Sequence, residues 1–190
     1  MCSSDLIDGG KPETVAFLSL CGLELPYLVS AALSEPSLAR VKWFGCHAAM
    51  QADLGIDERV GAFLEHVGFV FPAQVPFEGS ATHGEVLGML KSRTADEIPF
   101  SALFAYDACR IACEAIARTG RTPYTSKLVS EAIKVSREMA GATGDITLAD
   151  SGDRAKGAFA LHTVKGGRWL RTSDWATGSG GIKMLREYGR

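Results

Sequence analysis

Two short polar segments of this 190-residue chain carry the side chains best suited to chemistry, and each follows an apolar run. Cys46 and His47 follow residues 41–45, and Glu24 follows residues 14–20. A thiol beside an imidazole suggests a nucleophile and its base, but adjacent side chains on a loop seldom reach that geometry. The chain also has no P-loop, GxSxG elbow or HExxH motif. The sequence therefore selects no reaction, and we predict a protein that is not an enzyme and has no catalytic residue.

Three aspartates and three histidines are the candidates for metal binding: Asp145, Asp150, Asp153, His66, His83 and His162. The aspartates lack the spacing and the final glutamate of an EF-hand calcium loop, and turn formation accounts for them. The histidines share no spacing that is typical of metal ligands. We therefore predict neither a metal site nor a cofactor.

The composition limits the partners that the protein can have. A net charge of −2 and a pI near 6.1 give no electrostatic reason to expect nucleic acid as a partner. No apolar run reaches the ~20 residues that cross a bilayer, so we expect a chain that is not itself membrane-spanning.

Residues 1–6 equal the translation of a common sequencing adapter if GTG is read as the start codon. We therefore expect residues 1–10 to be a non-native or disordered start.

The elements that position Glu24 and His47 follow a β-α-β-α-β pattern. The apolar runs 14–20, 41–45 and 67–71 predict strands, and residues 26–38 and 57–66 predict helices. Pro36 indicates that the first of these helices ends or frays early. This order implies a parallel sheet with right-handed crossovers. Ligands of such sheets bind beyond the carboxyl ends of the strands, where helix N-termini point at them. We predict that the strands end side by side at Leu20 and Gly45, with Glu24 and His47 facing one cleft.

The rest of the chain predicts further helices and one hairpin. Pro72 should stop the third strand and begin an extended connector to Pro76. Helices are predicted over 83–93, 102–118 and 125–139, strands over 146–148, 158–164 and 168–172, and one or two helical turns over 182–188. The helices 102–118 and 125–139 are apolar beyond one face. We therefore expect the isolated chain to dimerise or aggregate, with few contacts between residues 78–156 and residues 11–72.

The cysteines predict two kinds of environment. Cys109 and Cys113 are four residues apart on one predicted helix, where packing among apolar neighbours is expected. Cys21 and Cys46 follow strands that, if adjacent, lie about 4.8 Å apart, which is within reach of a disulfide. Two free and mostly buried thiols are the alternative for that pair.

One ordered set of motifs resembles a known family. Tyr106-Asp107-Ala108 lies in a long predicted helix, a second helix follows, and the segment GATGDITLADSGD then leads into two strands joined by glycines. This order resembles the C-terminal signature of the type I periplasmic solute-binding proteins, the branched-chain amino-acid-binding family. The resemblance covers residues 100–171, and extends more loosely back to Thr14.

The resemblance implies an α/β fold, the C-terminal portion of a two-lobed structure with parallel sheets flanked by helices. Residues 11–77 and 158–172 would form part of the second lobe, residues 78–157 the C-terminal part of the first, and residues 173–190 a tail. The implied function is the extracytoplasmic solute-binding component of an ABC-type importer. It would bind a small polar solute, an amino acid or amide-like molecule, between its lobes. It would then work in the periplasm, with a signal peptide upstream, and deliver the solute to a permease in the inner membrane.

The resemblance also implies site residues. In amino-acid-binding members, a carboxylate after the strand equivalent to residues 41–44 holds the ligand ammonium, and His47 with Cys46 stands there in this chain. An aromatic residue is common in the earlier loop, where this chain has Leu23 or Glu24, and Glu24 could restore the missing charge. The departure at His47 argues against a free amino acid as the ligand. Tyr106 is a further candidate contact, although packing between helix and sheet is the alternative, with Asp107 tying its helix to the hinge.

Two other classes of function are compatible with the sequence. One is a ligand-sensing domain of the same fold, such as an amide sensor or a receptor ectodomain. The other is an unrelated doubly wound α/β enzyme, which an acid–base group with a perturbed pKa in a closed pocket would favour.

Overall fold

The computed structural model describes residues 16–20, 22–55, 57–76, 81–96, 98–120, 124–135, 138–178 and 180–189. The chain forms two compact units. The first comprises Met1–Gln74, Ala160–Asp174 and Leu185–Arg190, and the second comprises Val75–Phe159 and Trp175–Met184. None of the helices within the described ranges is both long and apolar enough to cross a bilayer.

The first unit is built on three parallel strands. These are β1 (Ala16–Leu18), β2 (Lys42–Phe44) and β3 (Val70–Val75). β1 pairs with β2 in parallel, with Leu18 opposite Phe44, and β2 pairs with β3 in parallel, with Phe44 opposite Val70. The Ser19 N–H donates to the Phe44 carbonyl over 2.7 Å at the end of this ladder. The prediction that the first two strands end side by side in one parallel sheet is therefore confirmed.

Two helices of the first unit follow β1 and β2. They are α1 (Leu25–Ala32), with Pro26 in its first turn, and α2 (Glu58–His66), whose N-cap Asp57 accepts from the Arg59 N–H over 2.9 Å. The helix predicted over 26–38 ends at Ala32, in agreement with the expectation that Pro36 makes it end early. Pro36 cannot supply an N–H to the preceding turn, and it opens a separate 3₁₀ helix, Pro36–Arg40, which Glu35 caps.

The core of the first unit is aromatic. Trp43 is fully buried, its ring meets Phe63 edge-on with centroids 5.1 Å apart, and its indole N–H donates to the Leu38 carbonyl over 2.8 Å. Phe69 and Phe71 belong to the same core cluster as Trp43, and both are fully buried. Each such ring contributes about 2–3 kcal/mol when it leaves water. This cluster holds the carboxyl ends of the strands in place.

The sheet continues with three further strands, in the order β1-β2-β3-β6-β7-β8. These strands are β6 (Gly157–Lys165), β7 (Arg168–Gly178) and β8 (Gly181–Glu187). The glycines at 166 and 167 join β6 to β7, and both have positive φ, as a two-residue hairpin turn requires. The chain passes from one unit to the other within β3, β6, β7 and β8.

Two predictions about these strands are wrong. β3 continues through Pro72 to Val75. Strand β2 ends at Phe44, which is opposite Val70. Pro72 therefore lies beyond the β2–β3 ladder, where its missing N–H breaks no hydrogen bond between these strands. Residues 182–188 do not form helical turns. Residues 181–187 are strand β8 beside β7, and the following Tyr188 N–H donates to the Thr172 carbonyl over 2.9 Å.

Within the described residues, the second unit contains three helices and a small antiparallel sheet. They are α3 (Ala81–Lys91), α4 (Phe100–Thr119), α5 (Ser126–Val135), β4 (Met139–Gly141) and β5 (Gly144–Ile146). Gly120 ends α4 in the left-handed conformation with φ of 58°. The helix predicted over 125–139 is too long, because Met139 pairs with Ile146 in the β4–β5 ladder. The strand predicted over 146–148 correspondingly begins two residues earlier.

The cysteines also differ from the sequence prediction. Cys109 and Cys113 are exposed on α4 and do not pack in an apolar core, because α4 turns other residues toward its neighbours. Cys46 is a free, half-buried thiol, and Cys21 lies outside the described residues.

Candidate functional site

The segments after β1 and β2 lie against each other in the first unit. A Cβ on Gly22 would lie 3.0 Å from the Ala48 carbonyl oxygen and 3.3 Å from the Gln51 Oε1 atom. Only glycine allows so close an approach without a shift of the neighbouring backbone. The structure therefore brings together residues 22–25, which contain Leu23 and Glu24, and the 3₁₀ helix His47–Gln51 with Cys46 at its N-cap.

His47 is fixed by the third strand. The Gln74 backbone N–H donates to its Nδ1 atom over 3.1 Å. A backbone N–H cannot accept, so Nδ1 is the acceptor nitrogen of the ring. The side chain is half-buried, and this burial lowers the pKa of His47 below its usual value. Burial and this hydrogen bond both favour the neutral imidazole.

Glu24 is held by its own loop. Its Oε2 atom accepts from the Gly22 N–H over 3.3 Å, and its backbone carbonyl accepts from the Leu28 N–H as the N-cap of α1. The side chain is exposed, and Leu23 beside it is 65% exposed. A carboxylate at a helix N-terminus is stabilised by the helix dipole, which is a structural role for Glu24.

Tyr106 belongs to the second unit, whereas the other four predicted site residues belong to the first. It is half-buried and packs against a small cluster of Val86, Leu103 and Ala142. Its neighbour Asp107 is 3% exposed and accepts three hydrogen bonds, from the Ala142 N–H at 2.7 Å and from the Thr143 N–H and hydroxyl at 2.9 and 2.6 Å. This agrees with the structural interpretation of Asp107, because its carboxylate fastens α4 to the turn between β4 and β5.

The sequence did not single out Arg154, which completes that turn. Its guanidinium donates to the Thr143 hydroxyl over 2.6 Å and to the Asp145 carbonyl over 3.1 Å. Burial lowers the pKa of Arg154, while the charges of Asp107 and Asp145 act against that shift. A cavity of about 180 Å³ lies beside it, lined by Thr143, Gly144, Asp145, Arg154, Lys156, Gly157, Ala158, Ala176 and Thr177.

The sequence analysis also did not predict that polar side chains of β6 and β7 interact within the first unit. His162 is 7% exposed, and its ring stacks on Phe71 with centroids 5.3 Å apart. Burial lowers the pKa of His162, and the charges of Arg171 and His47 act in the same direction. Asp174 accepts from Arg171 Nε over 2.6 Å and from the Tyr188 hydroxyl over 2.7 Å.

The burial of His162 could have been predicted from the sequence. The strand alternation of residues 158–164 places His162 among the inward positions, with Ala160 and Val164. The hydrogen bond between Tyr188 and Asp174 could not have been predicted, because it depends on β8, which the sequence pattern did not predict.

Two further cavities, like the one beside Arg154, are lined by side chains other than the predicted site residues. A second cavity in the second unit, of about 310 Å³, is lined by Glu138, Met139, Ala140, Asp145, Thr147 and Lys156. A cavity of about 250 Å³ in the first unit is lined by residues 52–55 and 167–169. Neither these nor the cavity at Arg154 includes Leu23, Glu24, Cys46, His47 or Tyr106. No group of three or more potential metal ligands occurs among the residues that the structure describes.

Comparison with known proteins gives matches in structure. No protein-family model matches the sequence, and no curated protein does. The leucine-binding protein LivK from Thermotoga maritima MSB8 is 17% identical, with a TM-score of 0.56 over 84% of this chain and 44% of its own. An ABC transporter solute-binding protein from R. palustris, solved with benzoate, is 12% identical, with a TM-score of 0.55 over 97% and 47%.

A third solved structure extends this set. An ABC transporter substrate-binding protein from Desulfitobacterium hafniense, solved with Leu, is 12% identical, with a TM-score of 0.52 over 82% of this chain and 43% of its own. The chain thus spans less than half the length of each of these structures. These likenesses and the mixed sheet with its flanking helices show that the chain has the type I periplasmic-binding-protein fold, over part of that fold's length. The sheet is parallel only from β1 to β3, since β6 and β7 form a hairpin, so the prediction of parallel sheets holds for the first three strands.

Proposed function

We propose that the protein is the extracytoplasmic solute-binding component of an ABC-type importer, that it works in the periplasm, and that it is not an enzyme. It binds a small polar solute and delivers it to a permease in the inner membrane. The observation that carries this proposal is the meeting of two loops at the carboxyl ends of adjacent parallel strands. This is the edge at which open α/β sheets bind their ligands.

The loop side chains are suited to binding a solute. His47 supplies a polar ring held by a backbone hydrogen bond, and Glu24 supplies a carboxylate. Leu23 offers exposed apolar surface, and Cys46 is half-buried beside His47. A few placed polar groups among apolar ones are typical of small-molecule sites. Tyr106 remains a ligand contact predicted from the sequence.

The solved structures of this fold support the class of ligand. LivK is a leucine-binding protein, one neighbour was solved with Leu, and one with benzoate. Leucine and benzoate are both small molecules with a carboxylate. We therefore infer a small solute of this kind, an amino acid or amide-like molecule being the expectation from the sequence.

The test is a binding screen on the whole chain. A library of amino acids, amides and small organic acids would be screened by thermal shift, and the hits would be measured by calorimetry. A ligand that binds only the folded state raises the melting temperature in proportion to its occupancy. We expect at least one hit that His47→Ala weakens tenfold or more.

The matched control is His66→Ala. His66 is an exposed histidine at the end of α2 in the same unit, so its loss should leave the affinity within twofold. A screen with no hit, or hits that both alanine variants weaken equally, would contradict the proposed site.

A further inference from the structure

Strand β8 is an open edge of the six-stranded sheet. It stands last in the strand order, beside β7, and all seven of its residues, Gly181–Glu187, are exposed. Its outer side presents backbone N–H and C=O groups to which no other strand of the described residues is paired. Such an edge is a template for pairing with a further strand.

The hydrogen bond of Tyr188 shows which residues of β8 point outward. The Tyr188 N–H donates to the Thr172 carbonyl of β7 over 2.9 Å. Because backbone polar groups alternate sides along a strand, the N–H and C=O groups of Lys183, Leu185 and Glu187 point away from β7. The side chains of these three residues share one face of the sheet, since side chains alternate with a period of two. A partner strand thus meets a lysine, a leucine and a glutamate in regular alternation.

This edge is complementary to itself. In an antiparallel pair centred on Leu185, Lys183 of each copy lies opposite Glu187 of the other, and the two leucines face each other. On the other face of the sheet, Ile182 of each copy lies opposite Tyr188 of the other, and aromatic pairs with β-branched residues also stabilise sheets. Ile182 and Leu185 are 68% and 49% exposed in the single chain, so the pairing removes apolar surface from water.

The charges favour this register over its neighbours. Charged side chains protect an edge strand when like charges meet, whereas opposite charges directly across from each other favour pairing. The smallest shift that keeps the same backbone groups paired is two residues. In one direction this shift brings two Arg186 side chains together, and in the other it places Lys183 opposite Leu185. Within the described part of the chain, neither Lys183 nor Glu187 forms an ion pair, so both can pair across the dyad.

We propose that β8 is a self-association surface, at which a second copy of this chain pairs antiparallel about Leu185 and extends the sheet across a two-fold axis. The surface goes beyond the proposed function, and it differs from the faces of α4 and α5 on which the dimerisation expected from the sequence depends. One pair of strands buries less surface than the ~1,200–2,000 Å² of a stable complex. We therefore expect a weak dimer, with a Kd of about 10–500 μM.

The experiment is a pair of charge reversals in the whole chain. Lys183→Glu and Glu187→Lys each place like charges opposite each other at both ends of the dyad, so each variant alone should self-associate at least fivefold more weakly than the wild type. An equimolar mixture of the two variants restores both opposite-charge pairs. We expect the mixture to form a heterodimer whose Kd lies within threefold of the wild-type value. Sedimentation equilibrium at several concentrations measures each Kd, and circular dichroism checks that each variant is folded.

The matched control is Lys165→Glu. It reverses the charge of an exposed lysine at the end of β6 and should leave the Kd within twofold of the wild-type value. A wild-type chain that stays monomeric up to about 1 mM would overturn the proposal and leave the edge to a strand of another protein. Self-association that neither reversal weakens would also overturn it and would point to another face, such as that of α4 and α5. A mixture that associates no more tightly than its two components would contradict the proposed pairing.

The paired residues can be identified in the amide spectrum. As the concentration of a ¹⁵N-labelled chain is raised, the amides of Lys183, Leu185 and Glu187 should shift most. Their hydrogen exchange should also slow, because these N–H groups donate across the dyad in the dimer. Concentration-dependent shifts confined to α4 and α5 would overturn the proposal.

Discussion

The turn between β4 and β5 and the loop after β2 are both held by side-chain hydrogen bonds, but in opposite ways. Asp107 is 3% exposed and accepts three hydrogen bonds from Ala142 and Thr143. His47 is half-buried, and its Nδ1 accepts from the backbone of Gln74. A buried carboxylate with its oxygens occupied fixes a fold, whereas a partly exposed ring at a strand end is a candidate for contact with a ligand. The family-like motif thus contributes a structural anchor, and the residue that departs from the family pattern carries the candidate chemistry.

The largest effect is expected for Asp107→Ala. This change leaves two buried backbone N–H groups, those of Ala142 and Thr143, without their acceptor. Each such group costs about 1–3 kcal/mol, so we expect a loss of roughly 3–5 kcal/mol in the free energy of unfolding of the second unit. Hydrogen exchange of the Ala142 and Thr143 amides, with urea unfolding of the whole chain, measures it.

Two further variants sharpen this prediction. Asp107→Asn keeps one carbonyl oxygen in place and should lose less than the alanine variant. Asp150→Ala removes an exposed aspartate from the same region and should change stability by no more than about 0.5 kcal/mol. If Asp107→Ala lowered the free energy of unfolding no more than Asp150→Ala does, Asp107 would not be a structural anchor, and the contrast with the His47 loop would be wrong.

A smaller effect is expected where β2 leads into the His47 loop. A Cβ on Gly45 would lie 2.4 Å from Cζ of Phe69, which is fully buried. The Gly45→Ala variant must therefore move a core ring, and we expect it to destabilise the first unit by about 1–3 kcal/mol. Gly88→Ala is the matched control, because Gly88 lies in α3 with nothing within 4 Å of an added Cβ.

The Gly88→Ala control should be more stable than the wild type. Alanine in place of a helical glycine stabilises by about 0.5–1 kcal/mol. Chemical denaturation of the three proteins gives the two differences. Equal stabilities of the Gly45→Ala variant and the wild type would show that the His47 loop is not held against Phe69.

The smallest predicted effect is a dependence of stability on pH. Burial lowers the pKa of His162 and of His47, so the native state binds fewer protons than the unfolded state below about pH 6.5. The stability should therefore be fully present above that pH and should fall as the pH decreases through the native pKa values.

The comparison of variants assigns this dependence. His162→Phe keeps the ring stacked on Phe71 and removes the titration, so its stability should fall less steeply between pH 7.5 and pH 5. His66→Phe, at an exposed position, should keep the wild-type slope. Urea midpoints across this pH range test both, and a wild-type stability that rises toward pH 5 would contradict the assignment.

The sequence predicted the parallel start of the fold because apolar runs of strand length are a local signal. Strands β1 and β2 and the adjacency of their ends follow from that pattern. β3 was cut short because proline is unfavourable inside a ladder, and the end of β2 at Phe44 removes that penalty. β8 could not be predicted, because Ile182, Met184 and Leu185 fit a helix as well as a strand, and pairing with β7 decides between them.

The candidate site was partly predictable for the same reason. The loops with Glu24 and His47 follow strand ends, so their approach depends only on strand order. The hydrogen bond from Gln74 to His47 joins residues 27 positions apart, and no local pattern encodes it. The disposition of the thiols was less predictable, since the faces that α4 turns outward depend on its packing against α5. The expected dimerisation or aggregation of the isolated chain stays a prediction.

The most direct test of the central claim is to map ligand binding on the amide spectrum. A ¹⁵N-labelled whole chain would be titrated with the tightest ligand from the screen, and the shifted amides would be assigned. We predict that the largest shifts fall on residues 22–25 and 46–49 and on Gln74, whose N–H bonds to His47. The amides of the Ala142–Thr143 turn should stay within the spread of unaffected residues. Largest shifts at that turn or at the cavity beside Arg154, with none in the two loops, would contradict the account.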